Sequence, residues 1–144
     1  MSGAPTPSPT IAVVAEGAAY DADAIAHYRR VLEALRARNL DPLVTLYHFT
    51  LPRWVAAKGG WENPQTIDLF HRYAAKVADE LGALAHYWAT INEPVILALM
   101  GYITGQWPPG KASFRTAMRV LRHLMRAHAL AYRELHARIA EPPM

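Results

Sequence analysis

Cysteine is absent from the 144 residues, which excludes a disulfide framework and any thiolate metal site. Long apolar runs are absent too; none reaches the length a transmembrane helix needs. The first ten residues carry no basic stretch, and the apolar segment at 11–15 is too short for a signal-peptide core. Together these absences predict a cytoplasmic chain without membrane association. Strong charge of one sign is also lacking. The formal net charge is +3, too mild an excess to point to nucleic acid by itself. None of the seven histidines has another four residues along, and no His-Glu-x-x-His pattern occurs. No metal and no cofactor is therefore expected.

What is there suits one packed domain of the α/β class. Residues 1–10 hold three prolines among serines and threonines, little that can be buried, and read as a disordered tail. Residues 11–14 suit a short strand that Gly17 ends. Asp21 or Asp23 is placed to cap a helix over 24–39, with Ile25, Tyr28, Leu32 and Leu35 on one apolar stripe. Arg29, Arg30, Arg36 and Arg38 are expected to face outward or end that helix, and Asn39 to leave it. A mostly apolar strand over 43–48 follows, as expected of a strand covered on both faces. Residues 49–63 form a long loop with two tryptophans. Asn63-Pro64 then starts a helix to about residue 81, with Ile67, Phe70, Ala74, Val77 and Leu81 buried and Gly82 as its stop. A short helix over 95–102 and a loop at 105–110 precede a last helix over 114–140. Ser113 caps it, and Phe114, Met118, Leu121, Met125, Tyr132 and Leu135 form its expected apolar face. Helix, strand, helix, strand, helix predicts a parallel sheet with right-handed crossovers.

The segment Tyr87-Trp88-Ala89-Thr90-Ile91-Asn92-Glu93-Pro94 joins the second strand to the short helix. Trp88, Thr90 and Ile91 favour a strand, and Pro94 suits the first turn of a helix. Asn92 and Glu93 thus stand at the carboxyl end of a strand, where α/β folds bind ligands. Glu93 is either a general acid/base or a plain helix cap. His48 ends the first strand at the same sheet edge if the two strands are parallel.

Thr90-Ile91-Asn92-Glu93-Pro94 resembles the acid/base motif of glycoside hydrolase family 1, the β-glucosidase-like family. Residues 45–54, Thr-Leu-Tyr-His-Phe-Thr-Leu-Pro-Arg-Trp, resemble its third-strand motif. Lys58-Gly59-Gly60-Trp61 and Gly101-Tyr102 follow at the family's spacing. The likeness runs from about residue 22 to at least 133; residues 1–20 match poorly, which divides the chain into 1–20 and a partial barrel domain over 21–144. The resemblance implies a (β/α)8 TIM barrel, of which this length holds about two to three βα units, since a whole barrel takes about 250 residues. It implies hydrolysis of a β-linked glycoside with retention, Glu93 as acid/base, and Asn92 and His48 as contacts to sugar hydroxyls. Phe49 stands where many members carry tryptophan and would face the sugar ring. Trp61 and Trp107 are candidates for the cleft wall, with core packing as the alternative.

The family's nucleophile lies in a Glu-Asn-Gly segment, and none occurs here. The remaining acids fall on helix faces, loops or ends, Glu62 being a remote substitute. The chain is thus expected to be inactive alone. The alternative is a non-catalytic remnant, or a half-barrel that associates with itself or with a complementing half through open sheet edges. His128, on the apolar stripe as read, is expected to be a satisfied core histidine. Arg115, Arg119, Arg122, Arg126 and Arg133 share one face of the last helix and read as a solvated surface, without a nucleic-acid partner.

Overall fold

A computed structural model describes residues 20–139. The expectations for residues 1–19, the tail and the short strand at 11–14, and for the chain beyond 139 lie outside the described residues.

Helix α1 spans Ala22–Arg36. Asp21 is its cap: one carboxylate oxygen accepts from the backbone N–H of Asp23 and Ala24 at 2.9 and 3.0 Å, satisfying two of the unpaired donors of a helix start. The helix ends three residues sooner than expected, and Asn39 turns the chain with φ 57°, a conformation asparagine tolerates. Two of the arginines expected to face outward instead reach across to the next helix and its end. Arg29 donates to the Glu80 carbonyl at 2.6 Å and Arg36 to the Ala83 carbonyl at 2.8 Å. Each guanidinium thereby supplies donors to a carbonyl that a helix end leaves without an intrahelical partner.

Strand β1 is Leu43–Tyr47. The expected long loop after it contains helix α2, Arg53–Ala57, and a 3-10 turn at Gly60–Glu62. Helix α3 runs Gln65–Leu81. Asn63 Oδ1 accepts from Gln65 N–H at 3.0 Å, and all five residues of the expected stripe are buried. Gly82 does not end α3 in a left-handed cap. It continues into a 3-10 turn, Gly82–Leu84, with φ −56°. A Cβ at Gly82 would stand 2.9 Å from Ile139 Cγ1, so close packing rather than backbone conformation calls for glycine there.

Strand β2 is Tyr87–Ile91. It pairs with β1 in parallel, Leu43 opposite Tyr87 and Tyr47 opposite Ile91, as the helix–strand order predicts. Helix α4, Pro94–Ala98, passes into a π turn at Leu99–Ile103. Ser113 caps helix α5, Phe114–Arg138, accepting from Thr116 N–H at 3.3 Å.

The face α5 buries overlaps the expected one only in part: Leu135 is buried and Met118 and Leu121 pack against the core. Phe114, Met125 and Tyr132 are exposed, whereas Ala117, Val120, His123, Leu124, Ala127, Ala131 and Leu135 are buried. Ala117, Ala127 and Ala131 have no exposed surface at all. Alanines let α5 approach α3 closely, and a reading that weighs side-chain size overlooks them. The core histidine is accordingly His123, whose Nδ1 lies 2.8 Å from the Trp61 carbonyl. His128 is exposed, although its Nδ1 meets Thr90 Oγ1 at 2.6 Å. Arg115, Arg119, Arg122, Arg126 and Arg133 of α5 are all exposed, as expected.

The sheet is buried unevenly. Leu46, Tyr47 and Thr90, toward its carboxyl end, are buried, while Leu43 and Tyr87 at its opposite end are 65% and 57% exposed. Tyr47 packs edge-on against Trp61 and Phe70 at centroid distances of 5.2 and 6.4 Å, and burial pushes its hydroxyl well above the usual tyrosine range.

Candidate active site

The four residues singled out in the sequence follow the two strands directly. His48 and Phe49 come after β1; Asn92 and Glu93 come after β2. Because the strands are parallel, all four stand at one edge. The Asn92 N–H donates to the Tyr47 carbonyl at 2.9 Å, carrying the ladder one residue past β2 and fixing the Asn92 backbone. Its side-chain Nδ2 lies 3.4 Å from His48 Nε2. With the amide as donor, the imidazole accepts at Nε2 and carries its proton on Nδ1.

Phe49 and Glu93 have φ of 67° and 41°. They and Asn39 are the non-glycine residues with positive φ among the described residues. Such a conformation costs an L-residue about 1–2 kcal/mol, and residues so strained cluster at functional sites. At Glu93 the following proline adds to the strain, since the residue before proline prefers an extended backbone. Glu93 occupies the cap position of α4, but its side chain makes no capping bond. Its carbonyl alone opens the helix, accepting from Ile96 and Leu97 at 3.0 and 3.2 Å. The plain-cap alternative therefore fails for the carboxylate, which is left exposed at the edge.

The two candidate tryptophans separate. Trp107 is half-buried, and its ring meets Phe49 edge-on at 5.1 Å. Phe49 in turn meets the His48 ring at 5.2 Å. An aromatic pair thus adjoins the His48 imidazole. Trp61 is 1% exposed and belongs to the core.

Glu62, weighed as a remote second carboxylate, is engaged elsewhere. One oxygen lies 2.6 Å from Lys111 Nζ and the other 3.2 Å from an Arg119 guanidinium nitrogen. Nothing in its spacing to either partner signals these pairs. Two concavities, one between α2 and the start of α3 and the other between α1 and α3, lie away from the strand edge. The described residues hold no group of three metal-ligating side chains and no helix long and apolar enough to cross a membrane.

An edge of this kind offers a proton donor or acceptor, an amide and an imidazole for hydroxyl groups, and aromatic surface for an apolar ring face. Known proteins are similar to this chain in sequence and fold. Residues 12–143 match the family model described as Glycosyl hydrolase family 1. A β-galactosidase of Pyrococcus woesei is 35% identical over 125 residues, covering 77% of this chain and 24% of that protein. The lactase/phlorizin hydrolase of Homo sapiens is 41% identical over 107 residues, 74% of this chain and 6% of its own length. Among solved structures, the β-glucosidase of Thermotoga maritima in complex with deoxynojirimycin superposes with a TM-score of 0.83 at 30% identity. The match covers 86% of this chain and 28% of that one. This chain thus spans about a quarter or less of the length of these relatives. From residues 12 to 143, the chain belongs to glycosyl hydrolase family 1.

Proposed function

We propose that the chain carries the acid/base half of a retaining β-glycosidase site that hydrolyses O-glycosyl bonds, built on two βα units of a TIM barrel. The observation that supports it is the contact of His48 with Asn92 at the strand edge that Glu93 shares, with the Glu93 side chain making no capping bond to the helix it precedes. In this reading Glu93 protonates the oxygen of the leaving group, then as carboxylate takes a proton from the water that completes hydrolysis. Asn92 donates to the sugar 2-hydroxyl, a bond that strengthens in the transition state. His48 binds another hydroxyl of the same sugar, and Phe49 lies against the ring face. Both the β-glucosidase and β-galactosidase names among the relatives fit a β-linked glycoside as substrate.

Retention takes a second carboxylate that attacks the anomeric carbon. The sequence has no Glu-Asn-Gly segment, and Glu62 is neutralised by two cations. In this reading the chain alone is inactive, and the second carboxylate is supplied by complementing barrel strands. The test is co-expression with the remaining portion of a family 1 barrel. The reading predicts hydrolysis of an aryl β-glucoside that disappears with Glu93→Gln. Activity indifferent to that substitution would refute it.

A second reading, association without catalysis, is favoured by the apolar surface left open. Leu43 and Tyr87 stand side by side at the uncovered end of the sheet. Val95, Leu99 and Ile103, four residues apart, are also exposed. Such surface drives association with a second copy or a complementing half-barrel. Gel filtration distinguishes the cases; a monodisperse monomer argues against it.

A further inference from the structure

Glu62 joins parts of the molecule that are far apart in sequence. It belongs to the 3-10 turn Gly60–Glu62, at the far end of the loop that starts with His48 and Phe49. That turn is anchored from beneath. The Thr66 hydroxyl donates to the Gly60 carbonyl at 2.6 Å, and His123 Nδ1 meets the Trp61 carbonyl at 2.8 Å. Trp61 itself is packed in the core. Only 16% of the Glu62 side chain is exposed, yet it holds two cations from other elements. Lys111 follows the loop that carries Trp107, and Arg119 lies in the second turn of α5. Its charge also reaches the π turn: burial first, and Glu62 second, push the Tyr102 hydroxyl up to about 12.

The Trp107 loop has its own backbone anchors. Trp107 N–H donates to the Met100 carbonyl and Lys111 N–H to the Gly101 carbonyl, both at 3.0 Å. These bonds tie the loop to the π turn after β2. They do not tie it to the loop after β1, although Trp107 must meet Phe49, which β1 positions. The link between the two loops falls to side chains. The carboxylate is mostly buried while Lys111 and Arg119 stay about half-exposed, at 49% and 51%, so the link is less screened than a fully exposed ion pair.

We propose that Glu62 is a positioning residue, clamping the loop after β1 to the loop after the π turn and thereby holding Trp107 against Phe49 as the aromatic wall of the candidate site. As a feature of that site it rests on the reading of the His48–Asn92–Glu93 edge given above. The clamp itself is tested without sugar, so failure of one is distinguishable from failure of the other.

The experiment is a ¹⁵N-correlated spectrum of the tryptophan indole N–H groups, with Trp107 identified by its loss in Trp107→Phe. Trp88, whose indole donates to the Ala85 carbonyl at 3.0 Å, serves as the reference. Lys111→Met and Glu62→Gln are each expected to move the Trp107 signal in the same direction and leave Trp88 in place. Lys111→Arg, which keeps the charge, is expected to restore the wild-type position. Should Glu62→Gln fail to fold, the two substitutions at half-exposed Lys111 decide alone. A Trp107 signal unmoved by Lys111→Met overturns the proposal, as does a shift that Lys111→Arg fails to reverse.

Discussion

Glu93 sets activity against stability within one residue. Its left-handed backbone before proline costs about 1–2 kcal/mol, and its side chain returns no capping bond. Glu93→Gly is therefore expected to stabilise the fold by about 1 kcal/mol, seen as a rise in melting temperature. A lower melting temperature would mean that the carboxylate supports the fold after all. In a complemented barrel, Glu93→Gln keeps the size of the side chain but removes the proton, and turnover should fall by about 10²–10⁴-fold. The identity of the four edge residues was legible in the sequence, because the Asn-Glu-Pro and Tyr-His-Phe segments each end an apolar run. The strain at Phe49 and Glu93 was not, since neither residue type announces a positive φ. Nor was the His48–Asn92 contact, which depends on a strand register set 44 residues apart.

Among the elements, α3 and α5 show where hydrophobic periodicity informs and where it misleads. In α3 the large apolar residues and the buried face coincide. In α5 they coincide only in part: Leu135 is buried and Met118 and Leu121 pack against the core, but Phe114, Met125 and Tyr132 are exposed, while Ala117, Ala127 and Ala131 are fully buried and carry little weight in a stripe drawn through Phe, Met and Tyr. Ala131→Leu is accordingly expected to overpack the α3–α5 seam and cost about 1–3 kcal/mol. Tyr132→Ala, on the neighbouring half-exposed position, should stay within about 0.5 kcal/mol of wild type. Urea denaturation of both variants checks the pair, and equal effects would place the seam elsewhere. The arginines of α1 teach a related lesson. A charged residue on a helix face reads as solvated until the fold brings a carbonyl within its reach, as it does for Arg29 and Arg36.

For the molecule as a whole, the α3–α5 seam is closed by charge as well as by packing. His71 Nε2 lies 2.6 Å from Glu134 Oε2, and Arg138 bridges Glu134 and Asp79. Arg138 first and His71 second hold the Glu134 carboxyl below the usual range. A carboxyl depressed by folding contributes stability above its unfolded titration range and loses it as pH falls through the folded value. The melting-temperature difference between wild type and Glu134→Gln should therefore shrink toward zero on acidification below the ordinary glutamate range. A difference that stays constant would contradict the linkage. At the opposite pole, the two paired strands among the described residues leave Leu43 and Tyr87 exposed at the other end of the sheet. The family and the α/β order were readable from motif and spacing, whereas the uneven burial of the sheet depends on what covers each end of it.

In the proposed reading this chain holds one carboxylate of a two-carboxylate site. Its most direct test is the hydrolysis of an aryl β-glucoside by the purified chain alone. No turnover above the uncatalysed rate is expected, because the proposed site lacks the second carboxylate that attacks the anomeric carbon. Robust turnover that Glu93→Gln abolishes would contradict it, and would mean that a second carboxylate of these 144 residues completes the site.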